Sequence, residues 1–142
     1  MKFDDYYRTN NPGVYMLILD SNESIAIFGE KNARLIQGRI TDRILYIGKA
    51  SNLSSRIENC HLKRARTSTL RRTIAEFFNL DFIPVSGKRG LSPDNEIIVS
   101  NWLDNNTYFK ICETSTVKEA ELLEHDLIKQ YQPPFNKRGI EL

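Results

Sequence analysis

The sequence predicts an α/β fold of the α+β type, a small central antiparallel β-sheet flanked by helices. Three observations point there. Short apolar runs at residues 14–19, 43–48 and 107–112 read as strands. Cap-and-proline or capping-box signals open longer helical stretches between and after them. The chain's 142 residues can also bury a core without disulfides or a structural metal.

Asn11-Pro12-Gly13 is a turn that releases a strand over Val14 to Leu19, closed by Asp20-Ser21-Asn22. Ser24 to Phe28 is expected as a second strand, making a hairpin. Residues 29–43 show no clean period and predict no element. Arg43 to Gly48 is the next strand, rich in Ile, Leu and Tyr. Asn52 is placed to cap a helix running to about Leu62, with Leu53, Ile57 and Cys60 at helical spacing. Thr67 or Ser68 caps another, its buried side Leu70, Ile74, Phe77 and Phe78. Asp81 to Gly90 reads as a loop ending in the basic turn Gly87-Lys88-Arg89-Gly90. Ser92-Pro93 opens a helix bearing Ile97, Ile98, Trp102 and Leu103 and ending at Asn105-Asn106. Thr107 to Cys112 alternates as a half-buried strand should. The last helix opens at Thr116-Val117-Lys118-Glu119 and stops before Pro133-Pro134. No linker or repeat divides these elements, so one domain over residues 1–142 is expected.

Composition is that of an ordinary globular protein, 40% hydrophobic and 27% charged, with net charge +2. No run approaches the ~20 apolar residues that span a bilayer, and the acids near Met1 are unlike a secretion signal, which predicts a cytoplasmic protein. Cys60 and Cys112 lack paired spacing; with His61 and His125 they do not make a zinc knuckle. Charge is unevenly spread. Lys49, Arg56, Lys63, Arg64, Arg66, Arg71 and Arg72 stand against the single acid Glu58, a stripe able to track a phosphate backbone or to form a solvated helix face.

Two local patterns carry chemistry. In Tyr46-Ile47-Gly48-Lys49, followed by Arg56, strand alternation sends Leu45 and Ile47 to one face and Tyr46 and Gly48 to the other, so a phenol stands beside a bare backbone that a phosphate could approach. On the last helix, Val117, Ala120, Leu123, Leu127, Ile128 and Tyr131 share one side, and Glu124 falls among them. A carboxylate there must be paired, protonated or bound to a metal; Arg56 is one structural partner it could have.

The order Gly13-Val14-Tyr15, Tyr46-Ile47-Gly48, Arg56, Glu124 and Pro133-Pro134-Phe135-Asn136 resembles the GIY-YIG nuclease superfamily, which includes the N-terminal incision domain of the excision-repair protein UvrC, some homing endonucleases and some restriction enzymes. The resemblance implies that Tyr15, Tyr46, Lys49, Arg56 and Glu124 surround a scissile phosphate. It makes Glu124 the ligand of a Mg²⁺ or Mn²⁺ ion and Asn136 a brace. The bare backbone and the basic stripe make Gly48, Lys63, Arg64, Arg66, Arg71 and Arg72 the expected nucleic-acid contacts. Relatives commonly carry a Tyr or His four residues beyond the arginine; here that position is Cys60. His61 is next door and would serve only if the helix loosens.

Residues 20–43 and 62–105 are longer connections than the family needs and are expected as insertions, the first able to extend the sheet, contact DNA or form a dimer contact. Thr67 to Phe78 and Trp102 to Thr114 are similar to stretches of small standalone bacterial members. The expected function is a metal-dependent endonuclease acting on double-stranded or branched DNA. The alternatives are a nucleic-acid-binding module of the same fold without turnover, and a protein-interaction domain. Without further domains, excision-repair incision by this chain alone is not expected.

Overall fold

The computed structural model describes residues 2–136. Its strands are β1 (Asp4–Asp5), β2 (Gly13–Leu19), β3 (Ile44–Ala50), β4 (Ile83–Val85), β5 (Lys88–Gly90) and β6 (Thr107–Glu113); its α-helices are α1 (Glu30–Gln37), α2 (Thr69–Phe77), α3 (Pro93–Asn106) and α4 (Val117–Tyr131). Short 3-10 segments span Asn22–Phe28 and Ala65–Thr67, and a π-helix spans Ser55–His61. The main sheet has the order β1-β6-β2-β3 with every neighbour antiparallel, and β4 and β5 form a separate hairpin.

Strand β2 is central because both of its faces are apolar: all seven residues are buried. Val14, Met16 and Ile18 pack with Ile44 and Ile47 against Ala120, Leu127 and Ile128 of α4. Tyr15, Leu17 and Leu19 face the other way, into a larger core shared with Phe109, Ile111, Leu70, Ile74 and Trp102. Helix α4 thus covers one face, and the two long connections supply the cover of the other.

Several expectations change. Ser24 to Phe28 is not a strand. Ser21 turns the chain by accepting from Glu23 N, and the 3-10 spacing sends Ile25 and Phe28 together into the core, leaving Ile27 exposed. Residues 29–43, which predicted nothing, contain α1, anchored by the fully buried Ile36. The loop at 81–90 contains the β4–β5 hairpin, whose turn residues Ser86 and Gly87 both have positive φ (51° and 78°). The alternation expected in β3 fails at one place. Leu17 pairs with Tyr46 and Ile18 with Ile44, so Leu45 is an extra, bulged residue. The bulge puts Leu45 in the core on Tyr46's side of the sheet, while Ile47 stays against α4.

The helix starts follow the expected caps. Ser68, Ser92 and Thr116 accept from the backbone amides of Arg71, Asn95 and Glu119. Asn52 accepts from Ser55 N at 3.0 Å, but the helix it opens is a π-helix. Among the described residues no helix is long and apolar enough to cross a membrane.

Candidate active site

β3 is the outer strand of the sheet, so residues from both of its faces reach the groove along its free edge. This cleft, about 280 Å³, is lined by Tyr15, Tyr46, Gly48, Lys49, Arg56, Thr69, Glu124 and Asn136, with Ile47 and Ile128 at its floor. Six of the seven side chains the sequence nominated for chemistry therefore line one cleft, although they come from five separate segments. The seventh, His61, lies directly behind it.

Tyr15 is buried, and its ring crosses the backbone of Gly48, its partner in the ladder. A Cβ at Gly48 would lie 2.3 Å from the Tyr15 ring and hydroxyl. The bare backbone read as room for a phosphate is therefore occupied by Tyr15, and Gly48 serves to seat that phenol. The rings of Tyr15 and Tyr46 have centroids 6.1 Å apart. Burial first, then the neighbouring Tyr46, pushes the Tyr15 pKa well above that of a free phenol, so Tyr15 stays a neutral hydroxyl.

His61 is buried, with only 2% of it exposed. In an α-helix a residue five beyond Arg56 would sit about 140° around the axis. The chain instead makes the i→i+5 bond Leu62 N to Ile57 O, 3.0 Å, and the widened turn carries His61 inward. Its Nε2 lies 2.5 Å from Tyr15 Oη and its Nδ1 2.6 Å from Ser68 Oγ. Cys60, at the expected position, is half-buried.

Burial, together with the cations Arg56 and Arg71, pushes the His61 pKa down to about 3. The folded protein keeps this ring neutral where an unfolded chain would protonate it near 6.5, so between those values the folded state binds fewer protons. The resulting stabilisation is complete above pH 6.5 and is lost as pH falls toward 3. Urea melts at pH 7.5 and 4.5 are expected to show wild type losing about 2–3 kcal/mol more than His61→Gln over that interval.

Arg56 approaches the cleft from the π-helix. Desolvation works against its charge, but the tyrosines and Cys60 outweigh it and hold its pKa above the usual guanidinium value. Lys49 points to the α4 side and pairs with Glu121 at 2.8 Å on the rim. Glu124 is half-buried on the α4 wall. Asn136 is buried and clamps β3: its Oδ1 accepts from Ile47 N and its Nδ2 donates to Ile47 O, both at 2.8 Å.

The basic stripe is divided by the fold. Lys63 and Arg64 are exposed, and Arg66 is half-buried beside Gly90 of the hairpin. Arg72 is half-buried and donates to Ala65 O and Thr69 Oγ1. Arg71 leaves the surface altogether. Its side chain has no exposure, and it bonds Glu96, Ser100 Oγ and the His61 carbonyl, so it has no face for a phosphate. The sequence stripe could not distinguish inward from outward arginines on one helix. Ser68 and Thr69 were missed as parts of the site; the cap position of Ser68, legible in the sequence, was the available signal.

The match to a family model follows this geometry: the GIY-YIG catalytic domain aligns with residues 13–141. The chain belongs to the GIY-YIG family. It is thus a member of a nuclease family. Its similar relatives include UvrABC system protein C of Limosilactobacillus reuteri (strain DSM 20016), 30% identical over 112 residues that cover 79% of this chain and 14% of that protein. The same-named protein of Borrelia hermsii (strain HS1 / DAH) is 33% identical over 97 residues, 67% of this chain and 11% of the relative. That of Lactiplantibacillus plantarum (strain ATCC BAA-793 / NCIMB 8826 / WCFS1) is 30% identical over 97 residues, covering 68% and 11%. This GIY-YIG chain therefore spans a small part of the curated relatives it matches. No solved structure gives a significant match.

Proposed function

We propose that the chain is an endonuclease that hydrolyses DNA phosphodiester bonds in the β3-edge cleft with the help of Mg²⁺ or Mn²⁺. The observation that supports this most is the convergence of two phenols, a guanidinium, an ammonium and one carboxylate on a single open groove. Arg56 offers a planar fork of donors to the phosphoryl oxygens, where charge builds as phosphorus becomes five-coordinate. Lys49 adds a point charge at the rim. Tyr46 orients the attacking water. Tyr15, held neutral, donates toward Tyr46 and stabilises charge on its oxygen. Asn136 fixes the strand that carries Tyr46.

The donor set suits a hard divalent ion: one carboxylate, Glu124, with phenol oxygens beside it. Such an ion, when bound, would neutralise phosphate charge and ease ionisation of a water. Lys63 and Arg64, both exposed, would contact the DNA backbone, which fixes position without reading bases. The case for an inactive module rested on Cys60 replacing a proton-handling group. His61 behind Tyr15 gives the site a buried imidazole that orients its phenol in place of that group, and weighs against it.

Supercoiled plasmid and branched DNA incubated with Mg²⁺ or Mn²⁺ should be nicked, and EDTA or Arg56→Ala should stop the nicking. DNA binding by wild type with no nicking under any of these conditions would sink the enzyme reading in favour of a binding module.

A further inference from the structure

Behind the tyrosines lies a buried group that the proposed chemistry does not use, the N-cap hydroxyl of α2. Ser68 is 1% exposed, and its Oγ has two partners: Arg71 N at 3.1 Å and His61 Nδ1 at 2.6 Å. The first is a backbone amide, so there the hydroxyl can only accept. Its own proton must go somewhere. Of the two partners of Ser68 Oγ, His61 Nδ1 is the one able to accept that proton. The reverse arrangement, with Nδ1–H donating, would leave a buried hydroxyl hydrogen unmet, at a cost of about 1–3 kcal/mol.

We infer that Ser68 is a positioning residue: by donating to Nδ1 it fixes His61 as the neutral Nε2–H tautomer, which donates to Tyr15 Oη and turns the Tyr15 proton away from His61, toward the Tyr46 side. The donors then run in one direction, Ser68 to His61 to Tyr15, from the core toward the groove. Arg71 holds the arrangement still, donating its amide to Ser68 and its Nη1 to the His61 carbonyl at 3.1 Å. Residues 62–105 thereby contribute a working part of the site. This rests on the nuclease reading only for its catalytic consequence.

The test is the tautomer of His61, read from long-range ¹H–¹⁵N correlation spectra of ¹⁵N-histidine-labelled protein, with His125 assigned by His125→Gln. Wild type is expected to show the Nε2–H pattern. Ser68→Thr keeps both cap and donor and should keep it. Ser68→Asp keeps the cap but accepts only, and should lose that pattern, with nicking falling at least 10-fold in kcat and KM little changed. An Nδ1–H pattern in wild type, an unchanged pattern in Ser68→Asp, or wild-type kcat in that variant overturns the assignment. The spectrum needs no DNA, so a wild type that nicks nothing would remove the nuclease reading while the tautomer is still decided.

Discussion

Glu124→Gln is expected to lower the metal-dependent nicking rate by about 10³-fold while leaving the fold intact. Glutamine keeps the shape of the side chain and its place on α4, where Ala120, Leu127 and Ile128 pack the helix against the sheet. What it removes is the charge on the cleft wall facing Tyr15, Tyr46 and Arg56. A hard cation binds a neutral amide far less well than a carboxylate. The loss should therefore be deepest at low metal and partly recovered at high Mn²⁺, with DNA binding in EDTA unchanged. Nicking titrations against metal concentration check this; a wild-type rate at limiting Mg²⁺ would remove Glu124 from the metal site.

Glu96→Ala acts on stability, and a loss of about 3–5 kcal/mol is expected. Glu96 Oε1 receives both Nε and Nη2 of Arg71, at 3.1 and 2.9 Å, and Oε2 receives Ala65 N at 2.8 Å. Arg71 has no exposed side-chain surface, and burial already pulls its pKa down against the opposing pull of Glu96. Alanine would leave a guanidinium in the interior without its counter-charge and an amide without its acceptor. Removing both charges is milder: Arg71→Met with Glu96→Leu should recover most of the stability, since a well-packed apolar pair often equals a buried ion pair. The double variant still lacks the bond to the His61 carbonyl, so its nicking should stay impaired. Urea melts with unchanged slope measure the first effect, and rates measure the second.

The sheet was legible in the sequence because strands β2, β3 and β6 carry long apolar runs between clear turns, and the helices because Ser68, Ser92 and Thr116 announce their starts. The candidate site was legible in its residue types and their order, since Tyr15, Tyr46, Arg56 and Glu124 stand in recognisable blocks. Three things were hidden for physical reasons. The residues 24–28 have strand-like composition, but Ser21 and the spacing of Ile25 and Phe28 favour a 3-10 turn, a choice made by the core and not by propensity. The bulge at Leu45 depends on how β2 and β3 align across the ladder, which neither strand's pattern reveals. The sorting of arginines is the third: Arg71 and Arg72 are chain neighbours, and only the presence of Glu96 and Ser100 on α3 draws the first inward.

Asn136 has a meaning beyond bracing Tyr46. An outer strand ordinarily offers its bare peptide groups to any other chain that can align with it. Here the amide side chain of Asn136 imitates a neighbouring peptide, engaging both the N–H and the C=O of Ile47, while Phe135 N covers the Leu45 carbonyl. The rim beside the groove is thereby closed to β-augmentation at Leu45 and Ile47, although it stays open to a solute that binds through side chains.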